Sequence, residues 1–214
     1  MKIRGRGRTP EERIEDKFLV LYTIADADIG VGDTVLQKLT FLSAVRMQRQ
    51  RHKGFNYAYI KMDYGPYSSE LKDDVAELER ANIITQFAHD VGSLGRYVLE
   101  NFSHIVEQNH LITEKIQAVN RRYAHIPRDE LVDHVHQMKN PIRPNITIHE
   151  TKDRSYVLRR PQVWNRNKEF KISENDLASL EIYFNPKNVH ALAKSLREAK
   201  SNKSVKLSEV LDSV

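Results

Sequence analysis

The first half of the chain opens with apolar residues that recur every three or four positions. After Thr9, Pro10 and Glu12, one such series runs through Ile14, Phe18, Leu21, Tyr22 and Ala25. A second series, with Asp33 or Thr34 as its N-cap, runs through Val35, Leu39, Leu42 and Val45. This spacing places each series on one face of a helix. Thr9 and Glu12 complete a capping box around Pro10, which suits the first position of a helix.

Residues 55–84 show a change of period. Phe55, Tyr57, Tyr59 and Lys61 alternate, which predicts a strand with one buried face. Gly65 and Pro66 then predict a sharp turn that enters a helix at its first position. An apolar stripe at helical spacing follows, formed by Tyr67, Leu71, Val75 and Leu78. Asn82 is expected to close this helix in a left-handed cap.

The residues after Asn82 predict a small hairpin and further helices. Short strands are expected at residues 83–87 and 96–99, separated by a turn with Gly92 and Gly95. Helix, helix, strand, helix and hairpin in this order are typical of a winged helix-turn-helix domain. Later elements are expected as helices at residues 102–123, 128–138, 176–183 and 185–199, and as a strand at residues 156–158.

The predicted fold class is therefore mainly α (α+β). It is a winged-helix-like domain with a small β-hairpin wing and additional C-terminal helices. Residues 1–8 are expected to form a flexible basic arm and residues 9–140 the winged-helix domain. Pro141 and Pro144 lie among polar residues, so residues 141–214 are expected to form a linker and a small, mainly helical extension.

Composition limits the function classes. The chain has 214 residues, 40% hydrophobic and 29% charged, as in ordinary soluble globular proteins. It has no cysteine, which excludes disulfides, thiol catalysis and thiolate zinc sites. No signal peptide and no apolar stretch long enough for a membrane span is present. These features predict a cytoplasmic protein with no membrane partner.

The charges favour two different kinds of partner. Two basic clusters could contact nucleic-acid phosphates: Arg4, Arg6 and Arg8 in the arm, and Arg46, Arg49, Arg51 and Lys53 at the end of the second helix. The helix after Pro66 is acidic, with Glu70, Asp73, Asp74, Glu77 and Glu79. In a DNA-reading winged helix this element lies beside phosphates, where carboxylates would weaken binding. The acidic helix therefore favours a protein partner, and DNA is the alternative.

No residue pattern indicates catalysis, a cofactor or a metal. His134 and His136 are two positions apart and diverge on a helix, and Glu130 and His134 have no third ligand nearby. Glycine-rich phosphate loops, nucleophile elbows and metalloprotease motifs are absent from the sequence. The protein is expected not to be an enzyme.

An ordered set of motifs resembles the Panacea, or SocA-like, antitoxin domain over about residues 12–140. The motifs are Leu36-Gln37-Lys38-Leu39-x-Phe41-Leu42 and Tyr64-Gly65-Pro66-Tyr67-Ser68-x-x-Leu71. Asn82 replaces the glycine of the family's glycine-isoleucine step, and residues 128–136 are similar to its closing helix. The resemblance implies a small, largely helical antitoxin that neutralises a cognate toxin, encoded nearby, by direct binding.

Two parts of the sequence could form the partner-binding surface. Tyr64, Gly65, Pro66, Tyr67 and Ser68 form either that surface or a turn needed only for folding, with Ser68 as the helix-start hydroxyl. Lys38 either meets a buried carboxylate or covers the edge of the core with its aliphatic stem. Exposed Asp73, Asp74 and Glu77 are expected to steer a basic partner.

Overall fold

The computed structural model describes residues 7–28, 30–86, 89–162, 168–191 and 194. The helices are α1 (Pro10–Ala27), α2 (Asp33–Arg49), α3 (Ser69–Arg80), α4 (Ser93–Asn101), α5 (Ser103–Gln108), α6 (His110–Tyr123), α7 (Arg128–Gln137) and α8 (Glu174–Phe184). The strands β1 (Tyr59–Met62), β2 (Gly65–Tyr67) and β3 (Tyr156–Leu158) form an antiparallel sheet in the order β2-β1-β3. The prediction of a mainly helical α+β fold is confirmed, and its small hairpin is formed by β1 and β2.

The first two helices form as their apolar spacing predicts. Thr9 and Glu12 close the expected capping box around the start of α1, and Phe18 and Leu21 are fully buried. Helix α2 is buried along Leu36–Val45 and at Met47. Its start differs from the prediction, because Gly32 occupies the N-cap and Asp33 is already the first helical residue. The predicted side-chain cap by Asp33 or Thr34 is therefore wrong.

The segment around Pro66 is a strand and not the start of a helix. Met62 pairs with Gly65 across a two-residue turn, and Pro66 lies in β2. Strand β2 is at the edge of the sheet, where the missing N–H of a proline breaks no ladder. Helix α3 begins three residues later, after Ser68, whose hydroxyl accepts a hydrogen bond from the Leu71 N–H. The predicted role of Ser68 at the helix start is confirmed.

The buried stripe of α3 begins at Leu71, because Tyr67 belongs to β2 and is half-buried. Leu71, Val75 and Leu78 are at most 5% exposed, as expected. Asn82 ends the segment with a φ of 57°, which confirms the left-handed cap. The middle of the chain therefore follows its apolar pattern, except that Gly65 and Pro66 belong to β2 and α3 begins later than predicted.

The hairpin expected after Asn82 is not formed at the predicted residues. Ile84 and Val91 make an isolated antiparallel bridge, and residues 96–99 lie in α4. Phe87 is outside the described residues. A side chain at Gly95 would place its Cβ 2.3 Å from the Ile83 carbonyl oxygen. Gly95 is thus explained by close packing of α4 on this carbonyl, and not by a turn between strands.

The residues after 140 share the core of the preceding residues. Strand β3 pairs with β1 at Tyr59 and Ile60, and Phe170, Leu180 and Phe184 belong to the same apolar cluster as α1 and α2. The predicted strand at residues 156–158 is confirmed. The single helix expected over residues 102–123 is broken at Asn109, whose side chain hydrogen-bonds both backbone groups of Lys171.

The last described residues agree with the predicted helical extension. Helix α8 begins after Ser173, which caps the Asp176 N–H, and covers the helix expected at residues 176–183. Residues 186–191 are helical, and the Asn185 side chain accepts from the Lys187 N–H at 3.0 Å. The rest of the helix expected up to residue 199 lies almost entirely outside the described residues.

Candidate functional site

A cavity of about 260 Å³ lies between α2, the β1–β2 turn and α3. We call it the hairpin cleft, and its lining includes Leu36, Lys38, Met62, Tyr64, Gly65, Tyr67, Leu71 and Val75. Asp33, Asp63 and Lys72 also line it and are exposed. Lys38, Tyr64, Gly65 and Tyr67 were expected from the sequence to contact a partner, and the fold brings these four residues to one cleft.

Two adjacent residues of α2 hold the β2–α3 junction in place. The Gln37 side chain exchanges two hydrogen bonds with the backbone of Ser68, both at 2.9 Å. The Lys38 ammonium donates to the Pro66 carbonyl at 3.0 Å. Gln37, Lys38 and Ser68 are at most 7% exposed. Gln37 and Lys38 therefore hold the segment from Gly65 to Ser68 against α2 by hydrogen bonds. This is a structural reason for the two motifs to occur together in this chain.

Lys38 differs from both descriptions that the sequence allows. Its side chain is 2% exposed, so it does not extend along the surface into solvent. Within the part of the chain that the structure describes, it makes no ion pair with a carboxylate. Burial lowers the pKa of Lys38 to about 8, because desolvation disfavours the charged amine. At neutral pH it is still mostly a cation.

Gly65 has a conformation and surroundings that exclude a side chain. Its φ is +89°, and an added Cβ would lie 3.0 Å from Cδ2 and 3.1 Å from Nε2 of His136. The His136 ring packs 5.6 Å from that of His149. Burial lowers the pKa of His136, and nearby His149 and Lys38 lower it further. His136 is thus a neighbour of the cleft that sequence spacing did not connect with Gly65.

Tyr64 is the exposed end of the hairpin. It occupies the turn between β1 and β2, with 58% of its surface exposed, and the Arg128 guanidinium lies 5.4 Å from its ring centre. An exposed aromatic ring beside a partly apolar cavity is a common feature of protein-binding surfaces. Pro66 and Ser68 are buried, so they support this surface without forming it.

The acidic face of α3 is largely neutralised inside the fold. Asp74 is fully buried, and it accepts hydrogen bonds from Arg8 at 2.5 Å and 3.1 Å and from the Tyr57 hydroxyl at 2.8 Å. Glu77 pairs with Lys17 and Arg13. The expectation that Asp74 is an exposed docking residue is wrong, and Glu77 is engaged by α1. Asp73 is exposed as expected.

Arg8 is part of the folded core and not of a flexible arm. Its side chain is 6% exposed, lies 4.9 Å from the centre of the Tyr57 ring, and bonds to Asp16 at 2.8 Å. Burial raises the pKa of Asp16, whereas the adjacent Arg8 guanidinium opposes this shift by favouring the carboxylate. Burial alone would lower the pKa of Arg8, but the hydrogen bond to Asp74 and the nearby acidic groups raise it above its ordinary value. The predicted nucleic-acid role of Arg8 is wrong, since its guanidinium is already paired with Asp16 and Asp74 inside the fold.

The sequence contained one signal of this network. Asp74 lies three residues after Leu71 and four before Leu78, so it belongs to the apolar stripe of α3. A carboxylate on a buried stripe requires a cation. Spacing alone does not identify the other three groups around Arg8, which are Asp16, Glu70 and Tyr57.

The second basic cluster is present and is larger than predicted. Arg46, Arg49 and Arg51 are exposed at the end of α2. Burial lowers the pKa of Lys115, and nearby Arg46 and Lys168 lower it further. Lys53 is different, because it pairs with Glu12 at 2.9 Å and is half-buried. Arg4 and Arg6 lie outside the described residues.

No group of three or more histidine and carboxylate side chains in the described residues could hold a metal ion, and His134 instead lies 3.0 Å from the Tyr123 hydroxyl. No helix in the described part of the chain is long and apolar enough to cross a bilayer. Comparisons with protein-family models, curated proteins and solved structures found no match to this chain.

Proposed function

We propose that this protein is an antitoxin-like binding module that neutralises a cognate toxin by direct contact through the hairpin cleft. The observation that carries the proposal is the exposed Tyr64 ring beside a cavity that the buried Lys38 lines. A large aromatic side chain next to a preformed cavity can bury apolar area on binding at little entropic cost. The proposed docking face is thus the cleft, and not the acidic surface of α3.

The resemblance to the Panacea antitoxin domain supports the choice of partner. Residues of both motifs line the cleft: Gln37 and Lys38 on one side, and Tyr64, Gly65 and Tyr67 on the other. A folding role explains Gln37, Pro66 and Ser68, since all three are buried. Gln37 hydrogen-bonds the Ser68 backbone, and the Pro66 carbonyl accepts from Lys38. The Tyr64 ring in the turn contacts the Arg128 guanidinium, and 58% of its surface is still available to a partner.

Co-expression with the neighbouring open reading frame tests this function. The neighbour should be toxic alone, harmless with this protein, and recovered with it on affinity purification. Tyr64→Ala should reduce both rescue and recovery, whereas Asp73→Lys, on the exposed face of α3, should preserve both. A neighbour that is harmless alone would contradict the antitoxin function.

A second candidate function is DNA binding through the basic cluster at the end of α2. The specific observation in its favour is the proximity of Arg46, Lys115 and Lys168, whose mutual repulsion contributes to the lowered pKa of Lys115. Like charges held together create a positive potential that attracts phosphates. The cluster begins at the end of α2 opposite to that of the hairpin cleft, so the two functions would use separate surfaces.

Fluorescence anisotropy with duplex DNA at increasing salt tests this candidate. Binding should weaken with salt, and Arg46→Ala with Arg49→Ala should reduce the slope of log K against log salt by about one unit per lost phosphate contact. Arg80→Ala, which removes an exposed arginine of α3, is the matched control. Unchanged binding by the double variant would contradict the candidate.

A further inference from the structure

The Lys38 ammonium is a buried cation with unused hydrogen-bonding capacity. It has three N–H donors, and within the described residues the Pro66 carbonyl is its one hydrogen-bond acceptor. Buried charges are normally paired, because the free-energy cost of removing an unpaired ion from water is large. A carbonyl supplies a dipole but no countercharge. Lys38 is therefore arranged to meet an anion that the described part of the chain does not provide.

The cavity beside Lys38 limits the size and polarity of that anion. Its volume of about 260 Å³ is close to the lower limit for small-molecule sites, and it has room for one or two side chains. Leu36, Met62, Leu71 and Val75 form apolar parts of its wall. An anion with a short apolar body fits this lining, whereas a strongly hydrated one would leave polar groups against hydrocarbon.

We infer that the hairpin cleft receives a carboxylate side chain of the partner protein, next to an apolar residue, and that Lys38 binds this carboxylate. The inference rests on the proposed function, since it names the part of the partner that enters the cleft. A carboxylate carries one negative charge and matches one ammonium, whereas phosphate groups carry more charge and are bound best by several donors. Tyr64 at the rim would cover the inserted segment and exclude water.

Partner binding through Lys38 should depend on pH. Lys38 is charged below its pKa of about 8, and a bound carboxylate would raise this pKa by favouring the cation. Partner affinity should then be full near neutral pH and should fall as Lys38 loses its proton above about pH 8. Asp33, Asp63 and Lys72 also line the cleft and are exposed, and His136 of α7 lies close enough for Lys38 to lower its pKa. Burial lowers the pKa of Lys38, whereas Lys72 is exposed. The two lysines thus form a matched pair of targets.

Isothermal titration with the partner protein compares Lys38→Met with Lys72→Met. Methionine keeps the length of the lysine stem and removes the charge. Lys38→Met should lower the affinity by about tenfold or more and abolish the pH dependence, since a charge-assisted hydrogen bond is lost. Lys72→Met should change the affinity less than about twofold, as expected of a rim charge. Equal affinity of Lys38→Met and the unaltered protein would overturn the inference and leave the docking function intact.

A second measurement needs no partner and no variant. Hydrocinnamate, an apolar carboxylate, is titrated into protein with isotope-labelled lysine side chains, and the Lys38 pKa is followed by NMR. Hydrocinnamate should raise the Lys38 pKa, whereas the neutral hydrocinnamide should leave it unchanged. No shift with hydrocinnamate would overturn the inference. Failure of the unaltered protein to bind any neighbouring gene product would instead overturn the proposed function.

Discussion

The Arg8 guanidinium binds the Asp74 carboxylate at 2.5 Å and thereby joins the segment before α1 to the middle of α3. Asp16 of α1 lies on the same guanidinium at 2.8 Å, and both carboxylates are fully buried. Glu70 of α3 also pairs with this guanidinium, at 3.6 Å, so three acidic groups pair with one arginine. Arg8, which the sequence places in a flexible arm, is thus part of the folded core. Part of the acidic charge of α3 is balanced by this arginine.

Arg8→Ala should destabilise the protein by about 3–5 kcal/mol, because it leaves two buried carboxylates without their cation. Urea unfolding followed by circular dichroism measures this change. Arg13→Ala is the matched control, since Arg13 is an arginine of α1 that is 47% exposed and pairs with Glu77. Its removal should cost about 0–1 kcal/mol. A loss below about 1 kcal/mol for Arg8→Ala would contradict the burial of this network.

Leu71→Ala should cost about 2–5 kcal/mol, because Leu71 is 1% exposed on the buried stripe of α3. Leu71 also lines the hairpin cleft, so the variant should enlarge the cavity as well as remove contacts. Leu111→Ala is a suitable comparison, since this leucine of α6 is 45% exposed. Equal melting midpoints for the two variants would show that the stripe is not packed.

Gly65→Ala should destabilise the hairpin by about 1–3 kcal/mol, as for a non-glycine residue held in a disfavoured backbone region. The strain has two sources here, the φ of +89° and the His136 ring, 3.0 Å from the added Cβ. Gly7→Ala is the control, because a Cβ at Gly7 meets no atom within 4 Å. Thermal unfolding that gives the same midpoint for both variants would contradict the observed turn.

The stability of the protein should depend on Lys38 at alkaline pH. The pKa of Lys38 is about 8 in the folded state and about 10.4 in the unfolded chain. Between these values the unfolded state binds more protons, so the Lys38 contribution to stability rises with pH. The unaltered protein should therefore gain stability relative to Lys38→Met between about pH 7 and pH 9.5. A constant difference between the two proteins across this range would show that Lys38 titrates normally.

The helices were predictable because their apolar spacing decides which face is buried. The Thr9–Glu12 capping box and the Asn82 cap follow from local chemistry, and both are present. The prediction that Pro66 starts a helix is wrong because proline suits a first helical position and an edge strand equally well. Only the pairing of β2 with β1 decides between them. Local patterns specify elements but do not specify which elements become neighbours.

The site was predictable only in part for the same reason. Tyr64, Gly65 and Lys38 were identified, but their common cleft depends on contacts between α2 and the hairpin. Exposure was the least predictable property of the charged residues. Asp73 and Asp74 are adjacent in the sequence, yet one is exposed and the other is buried beside Arg8. That difference depends on Asp74 lying on the stripe between Leu71 and Leu78, and on a cation supplied from a distant part of the chain.

The dissociation constant of the complex with the neighbouring gene product tests the central claim most directly. It should be measured for the unaltered protein, Tyr64→Ala and Asp73→Lys under the same conditions. If the hairpin cleft is the docking face, Tyr64→Ala should weaken binding by about 2 kcal/mol or more, as for a buried aromatic hot spot. Asp73→Lys should then change it by less than about 1 kcal/mol. Unchanged binding by Tyr64→Ala, with binding lost in Asp73→Lys, would contradict the account and place the docking face on α3.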